Sequence, residues 1–186
     1  AGVGSSSTAE AIELVECSLK NGIKKCLAVT PYYNKPSQKG LELHYIELSK
    51  VGAEIILYNV PGRTGVDLLP TTIEKLIEIK TISGIKEAVN TEERFLALSK
   101  IKDKRQDFQL YSGDDPSYVE FMKFKGDGVI SVAANVMPRE IKELSNLCLA
   151  GNFIEAEKTI KNYQEIFKLL FTESSPSPVS YTHLTL

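Results

Sequence analysis

Short apolar runs recur along the chain and predict its strands. They lack the polar alternation of a sheet with one face in water, which favours parallel strands that are covered on both faces. The runs cover residues 26–30, 54–60, 81–88, 108–113 and 128–135.

Patterns typical of amphipathic helices fill the intervals between these runs. Each pattern opens with a capping residue or a first-turn proline, followed by apolar residues at helical spacing. The opening residues are Ser7, Ser37, Pro70, Thr91, Asp115 and Pro138. A last helical pattern, residues 154–171, has no strand after it. The alternation of strand and helix predicts an α/β fold of successive βα units around a parallel sheet.

Two architectures fit this alternation, a doubly wound open sheet and a (β/α)8 TIM barrel. A nucleotide site would favour the open sheet, but the glycine-rich segment 2–7 lacks a third glycine and has no strand before it. That segment is better interpreted as a turn that ends in a helix cap. In barrels the chemistry gathers at the carboxyl ends of the strands, and polar residues gather there in this chain. The pattern therefore favours the barrel.

Composition narrows the class of protein. The chain has 186 residues, 42% hydrophobic and 25% charged, which excludes a disordered, collagen-like or disulfide-scaffold protein. Its 22 basic and 24 acidic residues leave no positive surplus for binding nucleic acid or anionic membranes. Three cysteines without CxxC spacing argue against disulfides and zinc, and they indicate a reducing, cytoplasmic location. No apolar run approaches the ~18 residues of a membrane span.

Lys86 is the sharpest candidate for chemistry, because it stands inside an apolar run that is built like a buried strand. Burial disfavours the ammonium form, and lowering the pKa of a lysine from ~10.4 to ~7.5 corresponds to about 4 kcal/mol. The resulting amine can attack a carbonyl and form a Schiff base. The alternative is a structural lysine that reaches solvent at the strand end or pairs with Glu87.

Two further residues at strand ends could act with this lysine. Tyr58 ends another apolar run, where its hydroxyl could pass protons to a substrate oxygen or simply be bonded in the core. Arg63 follows Pro-Gly in a predicted tight turn, where a fixed guanidinium suits a carboxylate unless the residue is merely solvated. No metal site is predicted, because His44 has no second ligand nearby and, in the pair Asp114 and Asp115, the second residue is better explained as a helix cap before Pro116.

Five ordered motifs at these strand ends carry a resemblance to a known family. They are VTPYYN (29–34), YNVPGRTG (58–65), GIKEA (84–88), SGDD (112–115) and GVISV (128–132). Together they resemble the dihydrodipicolinate synthase family, over residues 2–179 of the chain. The resemblance implies a class I, pyruvate-dependent aldolase on a (β/α)8 barrel, in agreement with the architecture that the pattern favours.

The resemblance also implies a role for four matching side chains. Lys86 would form the Schiff base with pyruvate, and Tyr58 would relay protons during the reaction. Tyr33 would be a second relay tyrosine, which in this family reaches across a dimer interface. Arg63 would orient the carboxylate of the second substrate, L-aspartate 4-semialdehyde.

The same resemblance places Ile130 and Gly113 beside bound pyruvate. It implies a lyase of lysine (diaminopimelate) biosynthesis that forms 4-hydroxy-tetrahydrodipicolinate without a metal or organic cofactor, in a homo-oligomer, dimer or tetramer. Sister aldolases on the same barrel, such as N-acetylneuraminate lyase and keto-deoxy-sugar-acid aldolases, share the lysine and the tyrosine. Arg63 within its motif favours the synthase. An inactive fragment is the remaining alternative.

The chain departs from the family pattern at both ends. The family's Gly-Thr-Thr-Gly-Glu segment, which completes the proton relay, is absent, and a whole barrel needs roughly 250 residues. We therefore expect a barrel that lacks its first two strands and is poorly stable and inactive alone. The expected organisation is a partial barrel over 1–150, the start of a C-terminal helical extension over 151–179, and a non-native tail over 180–186.

Overall fold

The computed structural model describes residues 1–179 and divides into two compact units, Ala1–Tyr111 and a second that begins at Ser112. The elements of the first unit are α1 (Thr8–Lys20), β1 (Lys25–Val29), α2 (Gln38–Ser49), β2 (Glu54–Asn59), α3 (Pro61–Thr64), α4 (Pro70–Leu76), β3 (Ile82–Glu87), α5 (Glu92–Lys104) and β4 (Gln109–Ser112), whose last residue opens the second unit. The elements of the second unit are α6 (Tyr118–Lys123), β5 (Gly128–Val129), α7 (Pro138–Leu149), α8 (Phe153–Lys161) and α9 (Gln164–Leu169).

Parallel strand pairing in the first unit sets the positions of the candidate residues. β1 pairs with β2 so that Val29 lies opposite Tyr58, and β2 pairs with β3 so that Tyr58 lies opposite Lys86. β4 follows β3 in the strand order, and Gly84 permits their close approach, since a Cβ there would lie 2.6 Å from the Gln109 carbonyl oxygen. The predicted α/β fold with parallel strands is confirmed.

The helix starts of the first unit follow the sequence signals. Ser7, Ser37 and Thr91 each accept, through the side-chain oxygen, an N–H from the residue three positions further on. Each bond satisfies one of the free N–H groups of a first helical turn. Pro70 is the first residue of α4, as predicted.

The core of the first unit joins aliphatic strand residues to the inner faces of the helices. Helix α2 packs on α1 and on α4, and α4 packs on α5. The largest fully buried side chains here are Tyr45, Phe108, Leu41, Leu48, Ile55, Leu57, Leu68, Ile73, Leu76 and Ile82. Removing such area from water is the main term that stabilises the unit.

The strand of the second unit is shorter than predicted. The pattern predicts an extended run over 128–135, but β5 ends at Val129 and residues 133–135 form a 3-10 helix. The cause is Asp115, whose carboxylate accepts the N–H groups of Val132 and Ala133 at 3.0 and 2.9 Å. This contact spans a long stretch of chain, so local patterning did not indicate it.

Two helix predictions in the second unit also need correction. Asp115 does not cap a helix, because its carboxylate is engaged by the loop after β5 and α6 begins after Ser117. The helical pattern 154–171 is interrupted near Asn162, where α8 ends and α9 follows. Pro138 begins α7 as predicted. The core of this unit is a cluster that includes Tyr118, Met122, Leu144, Ile160 and Phe167.

Within residues 1–179, no helix is long and apolar enough to cross a membrane. Over the same part of the chain, no group of three or more His, Cys, Asp or Glu residues is arranged to hold a metal ion. The predicted tail 180–186 lies outside the described residues. The predicted boundary at residue 150 stays a prediction.

Candidate active site

The candidate site of the first unit is built on the carboxyl ends of β2 and β3. Tyr58 and Lys86 are register partners in this parallel pair, so their side chains lie on the same side of the sheet. The Lys86 Nζ atom lies 4.1 Å from the centroid of the Tyr58 ring. Lys86 is buried, with 9% of the residue exposed, and Tyr58 is half-buried. The structure thus brings together the two residues that sequence reasoning placed at separate strand ends.

Tyr58 has the electrostatic environment of a phenol at the edge of an apolar strand. Burial raises the pKa of the Tyr58 hydroxyl above its usual value, and the Arg63 guanidinium opposes that rise. At neutral pH the hydroxyl therefore keeps its proton and can donate it to a substrate oxygen. The positive charge of Arg63 would favour the phenolate at the moment when that proton is transferred.

Arg63 lies on a one-turn helix, α3, where the sequence predicts a tight turn. Pro61 starts this turn with the backbone angle that it requires, and Gly65 ends it at φ +74°, in the left-handed region that favours glycine. Arg63 is exposed to solvent. A guanidinium at the edge of an open cavity suits the two oxygens of a carboxylate.

A cavity of about 600 Å³ lies beside these residues. Tyr58, Arg63 and Tyr33 are among its lining residues, together with apolar side chains and glycines from the start of the chain and from β1. Lys86 is not among the lining residues. Its amine contacts the ring of Tyr58, which does line the cavity. The cavity is large enough for a small substrate, and three of the predicted site residues border it.

Tyr33 combines an unusual backbone with an unusual exposure. Its φ angle is +75°, which costs a non-glycine residue of the order of 1–2 kcal/mol, and 92% of the residue is exposed. The segment is tied down by Asn34, whose side-chain amide donates to the Ser6 carbonyl oxygen at 2.8 Å. The strained turn therefore presents the tyrosine ring to solvent at the rim of the cavity.

The second unit holds the two remaining predicted residues, Gly113 and Ile130. The Ile130 N–H donates to the Ser112 carbonyl oxygen at 2.9 Å, which places Ile130 beside the residue that precedes Gly113. Both Gly113 and Ile130 are half-buried. Within this unit the two predicted residues therefore lie near each other, and their place beside pyruvate stays a prediction.

Sequence reasoning missed a buried polar cluster on the opposite side of the same strand ends. Asn59 and Glu87 directly follow Tyr58 and Lys86, and they are 0% and 1% exposed. Glu87 accepts hydrogen bonds from Asn59 and from Arg94, and Arg94 also pairs with Asp67. Side-chain alternation along strands carried the signal, because it places consecutive residues on opposite sides of the sheet.

Glu87 has a strongly perturbed carboxyl group. Burial raises its pKa to about 7, against the lowering effects of Arg94, the Val89 N–H and Asn59, while the charge of Asp67 adds to the rise. Asp67 and Glu87 share a single guanidinium, so one negative charge is left uncompensated when both carboxylates are ionised. The cluster therefore changes its charge within the neutral pH range.

The fold and the strand-end lysine place the chain among the parallel α/β proteins of the barrel class. The sequence model of the dihydrodipicolinate synthetase family matches residues 1–185, so the chain belongs to that family. The resemblance inferred from the five motifs is confirmed by this match.

Relatives with similar sequences support the family assignment. The chain is 45% identical over 181 residues to the 4-hydroxy-tetrahydrodipicolinate synthase of Shewanella piezotolerans, and 43% identical over 182 residues to that of Buchnera aphidicola. Each alignment covers 97% of this chain and 61% of the relative, so the chain spans about three fifths of the length of these relatives.

Solved structures give the same picture. The synthase of Methylacidiphilum fumariolicum superposes with a TM-score of 0.94 at 38% identity, over 99% of this chain and 61% of that one. The chloride-inhibited synthase of Acinetobacter baumannii, in complex with pyruvate, superposes with a TM-score of 0.90 at 40% identity, over 97% and 62%. These similarities bear out the predicted fold class.

Proposed function

We propose that the intact protein is a lyase that condenses pyruvate with L-aspartate 4-semialdehyde through a Schiff base on Lys86. The product would be 4-hydroxy-tetrahydrodipicolinate, an intermediate of lysine biosynthesis. The observation that carries the proposal is the register pairing of Lys86 with Tyr58, which sets a buried amine 4.1 Å from the centre of a phenol ring. Membership of the family and the pyruvate complex of a related synthase support the choice of substrate.

The first step of the proposed reaction is imine formation. The neutral Lys86 amine attacks the keto carbon of pyruvate, and the carbonyl oxygen takes up a proton to become a carbinolamine hydroxyl. A second proton transfer lets that hydroxyl leave as water, and a protonated imine remains. Tyr58 is the group next to Lys86 that can supply and recover these protons, since its hydroxyl is protonated at neutral pH.

The second step forms the new carbon–carbon bond. Loss of a methyl proton neutralises the protonated imine and gives an enamine, whose carbon attacks the aldehyde carbon of the second substrate. The aldehyde oxygen takes up a proton and becomes a hydroxyl, and the lysine nitrogen returns to the protonated imine. The amine of that substrate then attacks the imine carbon, which closes the ring and releases Lys86. The protonated imine nitrogen takes up the electron pair of the broken C–H bond and returns it when the enamine carbon attacks, so the proposed reaction requires no metal and no organic cofactor.

The remaining residues are proposed to hold the substrates. Arg63, exposed at the cavity rim, would bind the carboxylate of the aldehyde substrate. Ile130 and Gly113 would lie beside pyruvate, and Tyr33 would be a second relay tyrosine in a homo-oligomer. The exposure of 92% at Tyr33 is consistent with a residue that meets a second subunit. A cytoplasmic location remains a prediction from cysteine usage.

Chemical trapping tests the proposed function. The intact protein is treated with pyruvate and borohydride, and the reduced adduct is located by mass spectrometry. We expect a single adduct on Lys86 and none in the Lys86→Arg variant, which keeps the charge but removes the nucleophile. Absence of the adduct from Lys86 would contradict the Schiff-base mechanism. Turnover with sugar-acid substrates instead of aspartate semialdehyde would assign the protein to the sister lyases.

A further inference from the structure

The strand pairing that aligns Tyr58 with Lys86 also aligns two residues of the buried polar cluster. One residue beyond the Tyr58–Lys86 pair, Asn59 lies opposite Glu87 in the parallel ladder. Because side chains alternate along a strand, this second pair points to the side of the sheet that faces away from Tyr58 and Lys86. The two pairs therefore cannot be displaced independently, since each is one residue from the other on both strands.

The Asn59 side chain is held at both of its polar atoms. Its Nδ2 donates toward the two carboxylate oxygens of Glu87, at 3.0 and 3.1 Å, and toward an oxygen of Asp67 at 2.7 Å. Its Oδ1 accepts the Leu68 N–H at 2.9 Å. Because the nitrogen donates and the oxygen accepts, the amide fits in only one orientation. A slip of β3 or a shift of the loop around Leu68 would break these hydrogen bonds.

Arg94, on helix α5, donates to the same two carboxylates that accept hydrogen bonds from Asn59. Its guanidinium donates to Glu87 at 3.3 Å, to the Leu68 carbonyl oxygen at 2.9 Å, and to Asp67. The segment around Asp67 and Leu68 follows α3, the short helix that carries Arg63. Four pieces of the first unit thus converge on one cluster: the ends of β2 and β3, the loop after α3, and the start of α5.

Stability alone does not explain the composition of the cluster, because burying charged groups costs desolvation free energy. The cluster contains a buried carboxylate, a buried guanidinium and a half-buried second carboxylate, at a place where well-packed apolar residues often stabilise a protein at least as well. Polar groups of this kind are best known for specifying one register among several. Register is decisive here, because a slip of β3 by one residue against β2 would turn Lys86 to the side of the sheet opposite Tyr58.

We propose that Asn59, Asp67, Glu87 and Arg94 are positioning residues that lock β2 against β3 and thereby hold the Lys86 amine over the Tyr58 ring. We call these four residues the register cluster. The inference rests on the proposed function in one respect, the catalytic role of the Lys86 amine. The position of that amine over the Tyr58 ring is observed in the structure.

Two variants disturb the register cluster without touching the site. Asn59→Asp keeps the acceptor for Leu68 and replaces the donor with a carboxylate oxygen that faces Glu87 and Asp67. Arg94→Lys keeps the charge and loses the fork that binds two carboxylates at once. The matched control is Arg105→Lys, since Arg105 follows the other end of α5 and donates to the carbonyl oxygens of Ile77, Ile79 and Ile82.

The experiment uses two measurements on the intact protein with lysine labelled with carbon-13. The first is the NMR ring-current shift of the Lys86 ε-protons, assigned by its loss in Tyr58→Leu. The second is the rate of borohydride trapping with pyruvate. We expect both cluster variants to lose the ring-current shift and to trap at least ~10-fold more slowly, because small misplacements of reacting groups are costly. Arg105→Lys should keep the wild-type ring-current shift and trapping rate, even if its thermal stability falls as much as that of the cluster variants.

The outcomes separate this inference from the proposed function. Folded cluster variants with an unchanged ring-current shift overturn the inference, whatever their trapping rate. A wild-type protein that traps no pyruvate contradicts the proposed function, and the ring-current comparison still decides the positioning role. If both variants fail to fold, Asp67→Asn serves instead, since Asp67 is only half-buried. It should reduce the ring-current shift, and an unchanged shift would again overturn the inference.

Discussion

The two sides of the β2–β3 strand ends differ in how their polar groups are used. On one side, the Lys86 amine lies over the face of the half-buried Tyr58, beside an open cavity. On the other side, Asn59 and Glu87 are almost wholly buried, and their polar atoms are bound by Arg94, Asp67 and backbone groups. Directional bonds thus fix the rear of the sheet, and the side that would meet substrate is left accessible. Substitutions on the two sides should therefore have opposite signatures.

The largest effect is expected on the accessible side. Tyr58→Phe removes the hydroxyl proposed to relay protons, and we expect turnover to fall by about 10²–10⁴-fold. The free energy of unfolding should change by less than ~1 kcal/mol, because Tyr58 is only half-buried. Steady-state kinetics and urea unfolding measure the two quantities.

A second tyrosine provides the control for this substitution. Tyr45 is fully buried and donates its hydroxyl hydrogen to the Ala28 carbonyl oxygen at 3.1 Å. Tyr45→Phe should cost about 1–2 kcal/mol of stability and lower turnover far less than Tyr58→Phe, because the Tyr45 hydroxyl touches only the backbone of Tyr58. Equal losses of turnover in the two variants would contradict a proton-relay role for Tyr58.

On the rear side we expect a loss of stability. Arg94→Met leaves the Glu87 and Asp67 carboxylates without their cation, and breaking a buried pair in this way costs about 3–5 kcal/mol. The loss measured by urea unfolding should be smaller at about pH 5 than at about pH 8, because Glu87 becomes neutral when it takes up a proton.

An exposed ion pair gives the comparison for this variant. Lys25 pairs with Glu54 at 3.2 Å, and both side chains are about half exposed. Lys25→Met should change stability by less than ~1 kcal/mol at either pH. If Arg94→Met behaves in the same way, the register cluster contributes no more than a surface pair.

The smallest effect concerns the pH dependence of stability. The pKa of Glu87 is raised to about 7, so between its unfolded pKa near 4.5 and pH 7 the folded state binds more protons and stability falls as pH rises. Burial lowers the pKa of His44 to about 4, so between pH 4 and 6.5 the unfolded state binds more protons and stability rises with pH. Each effect amounts to at most ~3 kcal/mol, and over their shared range they oppose each other.

Single variants separate the two opposing groups. In Glu87→Gln the stability should rise with pH between about pH 4 and 6.5, and in His44→Gln it should fall between about pH 4.5 and 7. Thermal unfolding across this range measures both slopes. Identical pH profiles in the wild-type protein and Glu87→Gln would mean that Glu87 does not titrate between its folded and unfolded values.

The sequence predicted those parts of the molecule that depend on neighbouring residues. Ser7, Ser37 and Thr91 cap helices through bonds that span three positions, so each helix start is visible in a short segment. The buried strands of the first unit are visible for the same reason, since parallel strands that are covered on both faces need continuous apolar runs. The fifth strand was predicted too long because Asp115 bends it from far along the chain.

The candidate site was predicted as separate residues rather than as an arrangement. Lys86 and Tyr58 were recognisable as polar groups within apolar strands, but only the register between β2 and β3 makes them neighbours. The cluster around Asn59 and Glu87 was not predicted, because the partners Arg94 and Asp67 stand outside the strands. Strand alternation, applied to Tyr58 and Lys86, would have indicated Asn59 and Glu87. No local pattern indicated Arg94 or Asp67.

The register cluster also has a kinetic consequence for folding. Its four side chains fall within residues 59–94, so the loops that must close to assemble it are short. Short loops lose less chain entropy on closure and form sooner than distant contacts. We therefore expect the β2–β3 pair and the start of α5 to assemble early and to guide later strands onto them. The geometry of the lysine would then be established before the rest of the fold is complete.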